Sequence, residues 1–502
     1  MNETLSDRFH VRNRNAALIA VVAILLSYLV ILVTYSSYSV GGSDSSGYLN
    51  LATLLGSGRV VQPIPLAEEL SREGKEHVLI PLGFIRGPIA HSMSPYYPPG
   101  YPVHQLLLAW LVGWNYGPFL IGPVAATILL VVVFKLSREM GLTVGESVAS
   151  SAILGLNPVF LFMALQPMSD IASALWCSLA ILAALRSDRS RAAAVVAGLS
   201  LAIAICIRPS NAILSLPLVL ALPMRFSRYV LVGLGAFPLL GLLLVYNSQV
   251  YGSALSTGYH ADVARDFAVG FFRRRFDHYT AWLRRTYTPL IPIGWLVGVL
   301  VVPVPRRHRL LLAIWFAAYL SFFCFYRHFD LWWYLRFLLP GMPALIIGAV
   351  LASRRIREVL DLRLRLRGWS SPNGVRLLFL IAVLVGEVKQ TRLQTVFDIG
   401  RSEGIYRAAC LGANSVVPRK SVVVSMLMSG AVRYYSRLPC LRYDVRARDY
   451  TAVEARLRGL GYRVFALLHP AEVDKFRQDV GGNWMERGSF SGALLLEERP
   501  PD

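Results

Sequence analysis

The stretch Gly41-Gly42-Ser43-Asp44-Ser45-Ser46-Gly47-Tyr48-Leu49-Asn50 puts a carboxylate directly after an apolar segment, where a helix would leave a bilayer. An ionised carboxylate there can take a proton from an incoming hydroxyl or amine. Apolar residues at Tyr48, Leu51, Ala52 and Leu55 mark one face of a helix, and Gly56 and Gly58 punctuate its end. The stripe is too short to span, so the spacing predicts a helix lying flat on the membrane surface. Two readings of the carboxylate stand side by side. Either Ser43 or Asp44 caps the helix, or Asp44 is a general base facing a lipid-borne substrate.

Other groups could act with it. Asp170 closes Gln166-Pro167-Met168-Ser169-Asp170 at a helix start, as a cap or as a substrate contact. Arg273, Arg274, Arg275, Arg284 and Arg285 lie among Phe271, Phe272, Phe276, Tyr279, Trp282 and Tyr287. Guanidinium groups offer forked, charged donors to a phosphate. The same mixture also makes an interfacial belt against anionic headgroups. Arg208, Arg327 and Arg336 are edge cations that either snorkel or hold a phosphate. Arg336 stands out, because Leu-Arg-Phe-Leu-Leu-Pro places it at a helix start, where the dipole opposes a cation. His91, His260, His278 and His328, with Asp262, Asp277 and Asp330 nearby, show no ligand spacing on one element, so no metal is expected. Neither a Walker loop nor a dinucleotide fingerprint occurs, which argues against a nucleotide-sugar donor and leaves no cofactor expected.

These groups need a scaffold, and the composition says which kind. Of 502 residues, 55% are hydrophobic and 16% charged, well below the roughly one quarter charged in soluble domains. Apolar runs alternate with short Arg-containing turns, the pattern of a polytopic α-helical membrane protein with about eleven spans. The net charge of +21 resides mostly in those turns, so positive-inside bias explains it without nucleic acid. Residues 1–388 form the membrane domain, with outer loops at 36–115 and 247–289. In the first loop the prolines of His91–Pro102 bar regular helix, and the short apolar stretch Val103–Val112 dips into the interface. Residues 389–502 change character: β-rich runs at Ser421–Met428, Arg463–Leu468 and Ala493–Leu496 alternate with helical patterns such as Tyr450–Leu460. That is a small extracytoplasmic α/β domain, in which Cys410 and Cys440 could pair if it lies outside the cell.

With these residues in view, the chain resembles the GT-C-fold glycosyltransferases that use polyprenyl-phosphate sugars, the group containing protein O-mannosyltransferases and lipid A aminoarabinose transferases. The resemblance rests on Asp44 with Tyr48, Ala52, Leu55 and Gly58, on Tyr97-Pro98-Pro99-Gly100-Tyr101-Pro102, on Gln166 to Asp170, and on Tyr334-Leu335-Arg336-Phe337-Leu338-Leu339-Pro340. It implies Asp44 as the general base. Beside it, Tyr97, Asp170, the five loop arginines and Arg336 are the candidate substrate-binding groups. The partners would be a polyprenyl-phosphate sugar donor, a glycan, lipid or protein acceptor, and membrane lipids, with the enzyme multi-pass in the plasma (inner) membrane. The family often carries two adjacent acidic residues at the base position; here Ser45 follows Asp44. A lipid-phosphate leaving group is already a stable anion, so one carboxylate suffices where a glycosidase needs two.

A transporter or flippase for lipid-linked sugars is the alternative, but transporters show corresponding halves and mid-membrane charges, and neither is evident. A non-catalytic binding protein has no need of Asp44. The alternating basic turns predict the N-terminus inside and the C-terminal domain outside. With single cysteines at Ser415 and Arg189, an impermeant reagent applied from outside should label only position 415; labelling of 415 solely from the cytoplasm would reverse the topology.

Overall fold

The computed structural model describes residues 2–70, 75–259, 263–365, 372–436 and 438–499. Among the described residues, four helices are long and apolar enough to cross a bilayer: Leu18–Tyr35, Gly117–Glu139, Phe226–Tyr251 and Trp332–Arg354. Their surroundings differ. Only 6% of the first and 11% of the third are buried inside the protein, against 61% and 89% of the others. Leu18, Ile24, Val30, Leu234, Phe237 and Leu242 therefore point outward, a surface that suits lipid rather than water. The other two helices build a core around Leu129, Val133, Trp315, Tyr319, Leu345 and Ile346. The chain is a helical membrane protein.

The span expected over Val144–Leu165 is broken. Val144–Leu156 and Pro158–Ala164 meet at 64°. Pro158 cannot supply a helical N–H, and Asn157 restarts the helix by accepting from the N–H groups of Val159 (3.0 Å) and Phe160 (3.3 Å). Arg191–Ile207, Pro209–Ala221 and Leu290–Leu300 are shorter apolar helices beside the long ones.

The segments between the first two long helices depart most from expectation. The helix Asp44–Gly56 does not lie on a membrane surface, because protein covers both its apolar and its polar faces; Ser45 through Ala52 are all buried. Helix Gly100–Val112 packs on one side of it and helix Ser429–Tyr435 of the C-terminal region on another. Asn50 Nδ2 donates to the Gly430 carbonyl at 3.0 Å, so its polar residues meet backbone rather than headgroups. The proline-rich segment is also more regular than expected. Ser92–Pro95 is the middle strand of an antiparallel sheet flanked by Gln62–Pro63 and Phe84–Arg86. The stretch expected to dip into the interface belongs to helix Gly100–Val112, with Pro102 in the first turn, where a missing N–H costs nothing.

The C-terminal region is an α/β unit, as the sequence suggests, though helix Pro372–Leu393 runs past the boundary expected at 388. Its five-stranded sheet runs in the order Cys440–Leu441, Ser421–Val424, Arg463–Leu468, Ala493–Glu498, Trp484–Phe490. The first three strands are parallel and the last two antiparallel to their neighbours. Trp484–Phe490 and Cys440–Leu441 carry no alternating apolar signal. Cys410 and Cys440 are buried and unbonded, so the conditional disulfide is absent.

One core joins this sheet to the loop after the first span. Ile64, Leu70, Val78, Leu79, Phe84 and Met93 pack with Val422, Leu441, Val464 and Leu468. Backbone bonds tie the seam: Arg442 N–H to Val78 O at 2.8 Å, and Leu82 N–H to Ser429 Oγ at 3.1 Å. The Asp44 helix is thus clamped from both ends of the sequence. Asn50→Leu should strip the buried Gly430 carbonyl of its donor and lower stability by about 1–3 kcal/mol. A fall in the thermal midpoint of the detergent-solubilised protein would register it; an unchanged midpoint would mean the clamp is not where stability resides.

Candidate active site

Asp44 is the first residue of its helix, and the Ser43 side chain makes no capping bond. Ser43 Oγ lies instead 2.9 Å from Tyr97 Oη. Tyr97 Oη donates to Asp44 Oδ1 at 2.5 Å, so the single proton of Ser43 points to the phenol oxygen. Arg336 Nη2 donates to the other carboxylate oxygen, Oδ2, at 2.8 Å. The Tyr97 ring reaches this position only because Gly47, one turn into the helix, has no side chain; a Cβ there would collide with it.

Burial pushes the Asp44 carboxyl up, but Arg336, the Tyr97 hydroxyl and Arg208 outweigh it and hold the group below its ordinary value. Tyr97 is pushed well above the usual phenol value by burial and by the Asp44 charge, so it stays a neutral donor. The Asp44 side chain keeps 28% of its surface accessible, enough for a substrate atom to reach it. The pair is therefore an ionised, oriented carboxylate whose cation could also serve a phosphate.

A second layer supports the first. Tyr48 packs on Tyr97 and Tyr101, with ring centres 4.7 and 5.1 Å away, and its hydroxyl lies 2.8 Å from Ser169 Oγ. Arg208 Nε donates to that same oxygen at 2.9 Å. Asp170 pairs with Arg208 at 2.8 Å and has no exposure, although the angles are not those of a hydrogen bond. As placed, Asp170 holds Arg208 and does not touch an opening.

The loop arginines go elsewhere. Helix Phe272–Thr286 carries them all. Arg275 is buried and pairs with Asp330 at 2.5 Å, and Arg274 pairs with the same carboxylate. Arg285 lies over the Trp282 ring at 4.8 Å, while Arg273, Arg284 and Arg285 are exposed. Of the six candidate arginines, the structure brings Arg336 alone to Asp44. It lies on the 3₁₀ stretch Trp332–Gly341, between the Tyr334 and Phe337 rings, which gives the cation the π-faces it needs at a helix entrance. Arg327 pairs with Asp266 at 3.4 Å.

The histidines divide. His91 bonds Glu76, while His278 and His328 stack edge-to-face at 4.8 Å; His260 and Asp262 lie outside the described residues. Among the described residues no three His, Cys, Asp or Glu side chains converge on one point. Two participants escape a reading by motif. Arg208 is visible as a cation ending an apolar run, but nothing in sequence ties it to Asp170. Glu403 lines a cavity of about 530 Å³ beside Arg336 from a stretch that reads only as soluble helix.

No protein-family model matches the sequence, and no curated protein does. Solved structures do match in fold. ArnT from Cupriavidus metallidurans, solved bound to undecaprenyl phosphate, superposes with a TM-score of 0.58 at 14% identity, over 96% of this chain and 98% of that one. An archaeal oligosaccharyltransferase, AglB from Archaeoglobus fulgidus, solved with an inhibitory peptide and a dolichol-phosphate, gives 0.53 at 11% identity over 95% and 74%. The mycobacterial arabinofuranosyltransferase AftD gives 0.53 at 12% identity over 96% of this chain and 40% of its own. All three are GT-C proteins, and the architecture of this chain is the GT-C fold.

Proposed function

We propose that the protein is an integral membrane glycosyltransferase that moves a sugar from a polyprenyl-phosphate donor to an extracytoplasmic acceptor, with Asp44 as general base. The observation that carries this reading is the Asp44 carboxylate held between Tyr97 and Arg336. The fold shared with proteins solved with undecaprenyl phosphate and dolichol-phosphate supports it. About eleven crossings, with the site and the C-terminal domain outside the plasma (inner) membrane, complete the arrangement. Of the basic groups, Arg336 is the first candidate for the donor phosphate, with Arg273, Arg284 and Arg285 as exposed cations on the second loop.

The reaction balances simply. An acceptor hydroxyl or amine attacks the anomeric carbon, and the bond from that carbon to the phosphate oxygen breaks. Its electron pair leaves on the lipid phosphate, and the proton of the nucleophile passes to Asp44. The departing phosphate needs no proton, so a cation beside it does the work an acid does in a glycosidase. Arg336 links the two halves. When it turns toward a donor phosphate, Asp44 loses its counter-charge and becomes a better base in the loaded enzyme than in the free one.

Three outcomes test this. Asp44→Asn keeps size and capping ability, so turnover with a polyprenyl-phosphate sugar should fall about a hundred- to ten-thousand-fold in a protein that still folds; near-normal turnover would remove Asp44 from the chemistry. Arg336→Ala should weaken donor binding by about 1.5–3 kcal/mol, the scale of a charged hydrogen bond; if only the second-loop arginines affect donor affinity, the phosphate sits there instead. Finally, the acidic limb of kcat/KM, which reports the free enzyme, should lie at lower pH than that of kcat. Coincident limbs would show that Arg336 never leaves Asp44.

A further inference from the structure

The cavity beside Arg336 has chemistry that the Asp44 centre does not use. Its wall combines Phe162, Trp332 and Trp333 with Gln166, Gln394 and Glu403. Phe162 packs against both tryptophan rings, at 4.9 and 5.9 Å, so the aromatic side is a fixed surface. Gln166 donates its amide to Phe162 O at 2.8 Å, which leaves its carbonyl oxygen available. Thr395, also on the wall, adopts a left-handed backbone with φ of 47°, a strained state for a β-branched residue. That turn separates helix Pro372–Leu393 from helix Ile399–Val416 and sets Glu403 on the cavity.

Glu403 itself is unusual. Its carboxyl lies so close to Gly41, three residues before Asp44, that a Cβ at Gly41 would collide with it. Burial pushes the group up to about 7, with no cation to offset it. Among the described residues it has neither a hydrogen-bond nor an ion-pair partner; Tyr406, on its own helix, feels its charge, and Arg336 on the same cavity wall is committed to Asp44. Glu403 is only half-buried and its carboxyl lines the cavity, so it is free to meet a partner that arrives from outside.

We propose that Glu403 and its cavity are the acceptor subsite of the enzyme, and that the group seated there is a hydroxylated sugar ring. This rests on the glycosyltransferase reading above. The charges separate the two substrates: a donor phosphate is drawn to Arg336 and repelled by Glu403, so the Glu403 end takes a neutral or amine-bearing partner. The aromatic faces suit the C–H faces of a pyranose, and the carboxylate and the amide oxygens accept from its hydroxyl groups. Glu403 supplies from the C-terminal region a second acidic group for a site that has one carboxylate in its first loop.

The test uses the purified full-length protein, with a printed array of neutral and amino-bearing lipid-free oligosaccharides as the probe. Wild type should be captured by a subset of glycans. Glu403→Gln and Trp333→Ala should each lose about tenfold or more in affinity for that subset, with partial recovery in Glu403→Asp. Because the native carboxyl is unpaired, Glu403→Gln should melt a few degrees higher at pH 8, a gain that a merely structural role would turn into a loss. Equal capture of wild type and Glu403→Gln, a lower melting temperature, or no glycan bound at all would overturn the subsite. The two readings fail separately. Transfer from a lipid-phosphate sugar with an acceptor KM unchanged in Glu403→Gln removes the subsite and leaves the transferase. Glu403-dependent capture without any transfer removes the transferase and leaves a glycan-binding site.

Discussion

A charge brought out of water must be met by another, and the bond between Asp44 and Arg336 is where this protein meets that demand. The carboxylate comes from the start of a short helix after the first span, the guanidinium from a 3₁₀ stretch 292 residues later. Neither is stable in its place without the other. Holding them at 2.8 Å fixes the loop after the first span against the long apolar helix Trp332–Arg354, so the pair registers two remote parts of the fold. The same geometry leaves a cation beside a carboxylate at an accessible point, which is what a displacement at an anomeric centre requires.

Around that pair the structure is layered by polarity. Tyr97 and Ser43 form the inner ring and give Asp44 its direction. Tyr48, Ser169, Arg208 and Asp170 form a second ring that is buried and self-paired. Outside it the aromatic side chains of Tyr101 and Tyr259 close the packing. Two carboxylates and two guanidiniums thus alternate across the layers. The arrangement keeps net charge small while leaving one carboxylate, Asp44, open to an incoming group.

Much of this was legible in the sequence, and the part that was not shares one cause. The lipid-facing helices follow from apolar length, and the C-terminal strands at Arg463–Leu468 and Ala493–Glu498 from local runs of β-favouring residues. Asp44, Tyr97 and Arg336 could each be singled out by type and setting. Their meeting could not, because pairing between distant residues leaves no local pattern. For the same reason the five loop arginines read as a free basic cluster: Asp330, which occupies Arg274 and Arg275, lies more than fifty positions downstream. The Asp44 helix looked amphipathic and therefore superficial, yet its polar face was reserved for Gly430, 380 residues away. The break at Asn157–Pro158 is the exception, since its signal is local and Pro158 announces it.

The shared core between the loop after the first span and the C-terminal sheet bears on how the protein comes into being. Synthesis delivers Ile64, Val78 and Phe84 well before the strands that cover them, Ser421–Val424 and Arg463–Leu468. Until Val422, Gly430 and Val464 have emerged, the apolar side of the small sheet lacks this cover and Asn50 has only the Ser46 carbonyl of its own helix to engage. The packing around Asp44 is therefore completed only once those strands have been made. A polypeptide that stops soon after Arg336 carries every residue of the Asp44–Tyr97–Arg336 cluster and still lacks the sheet that packs over the helix holding Asp44.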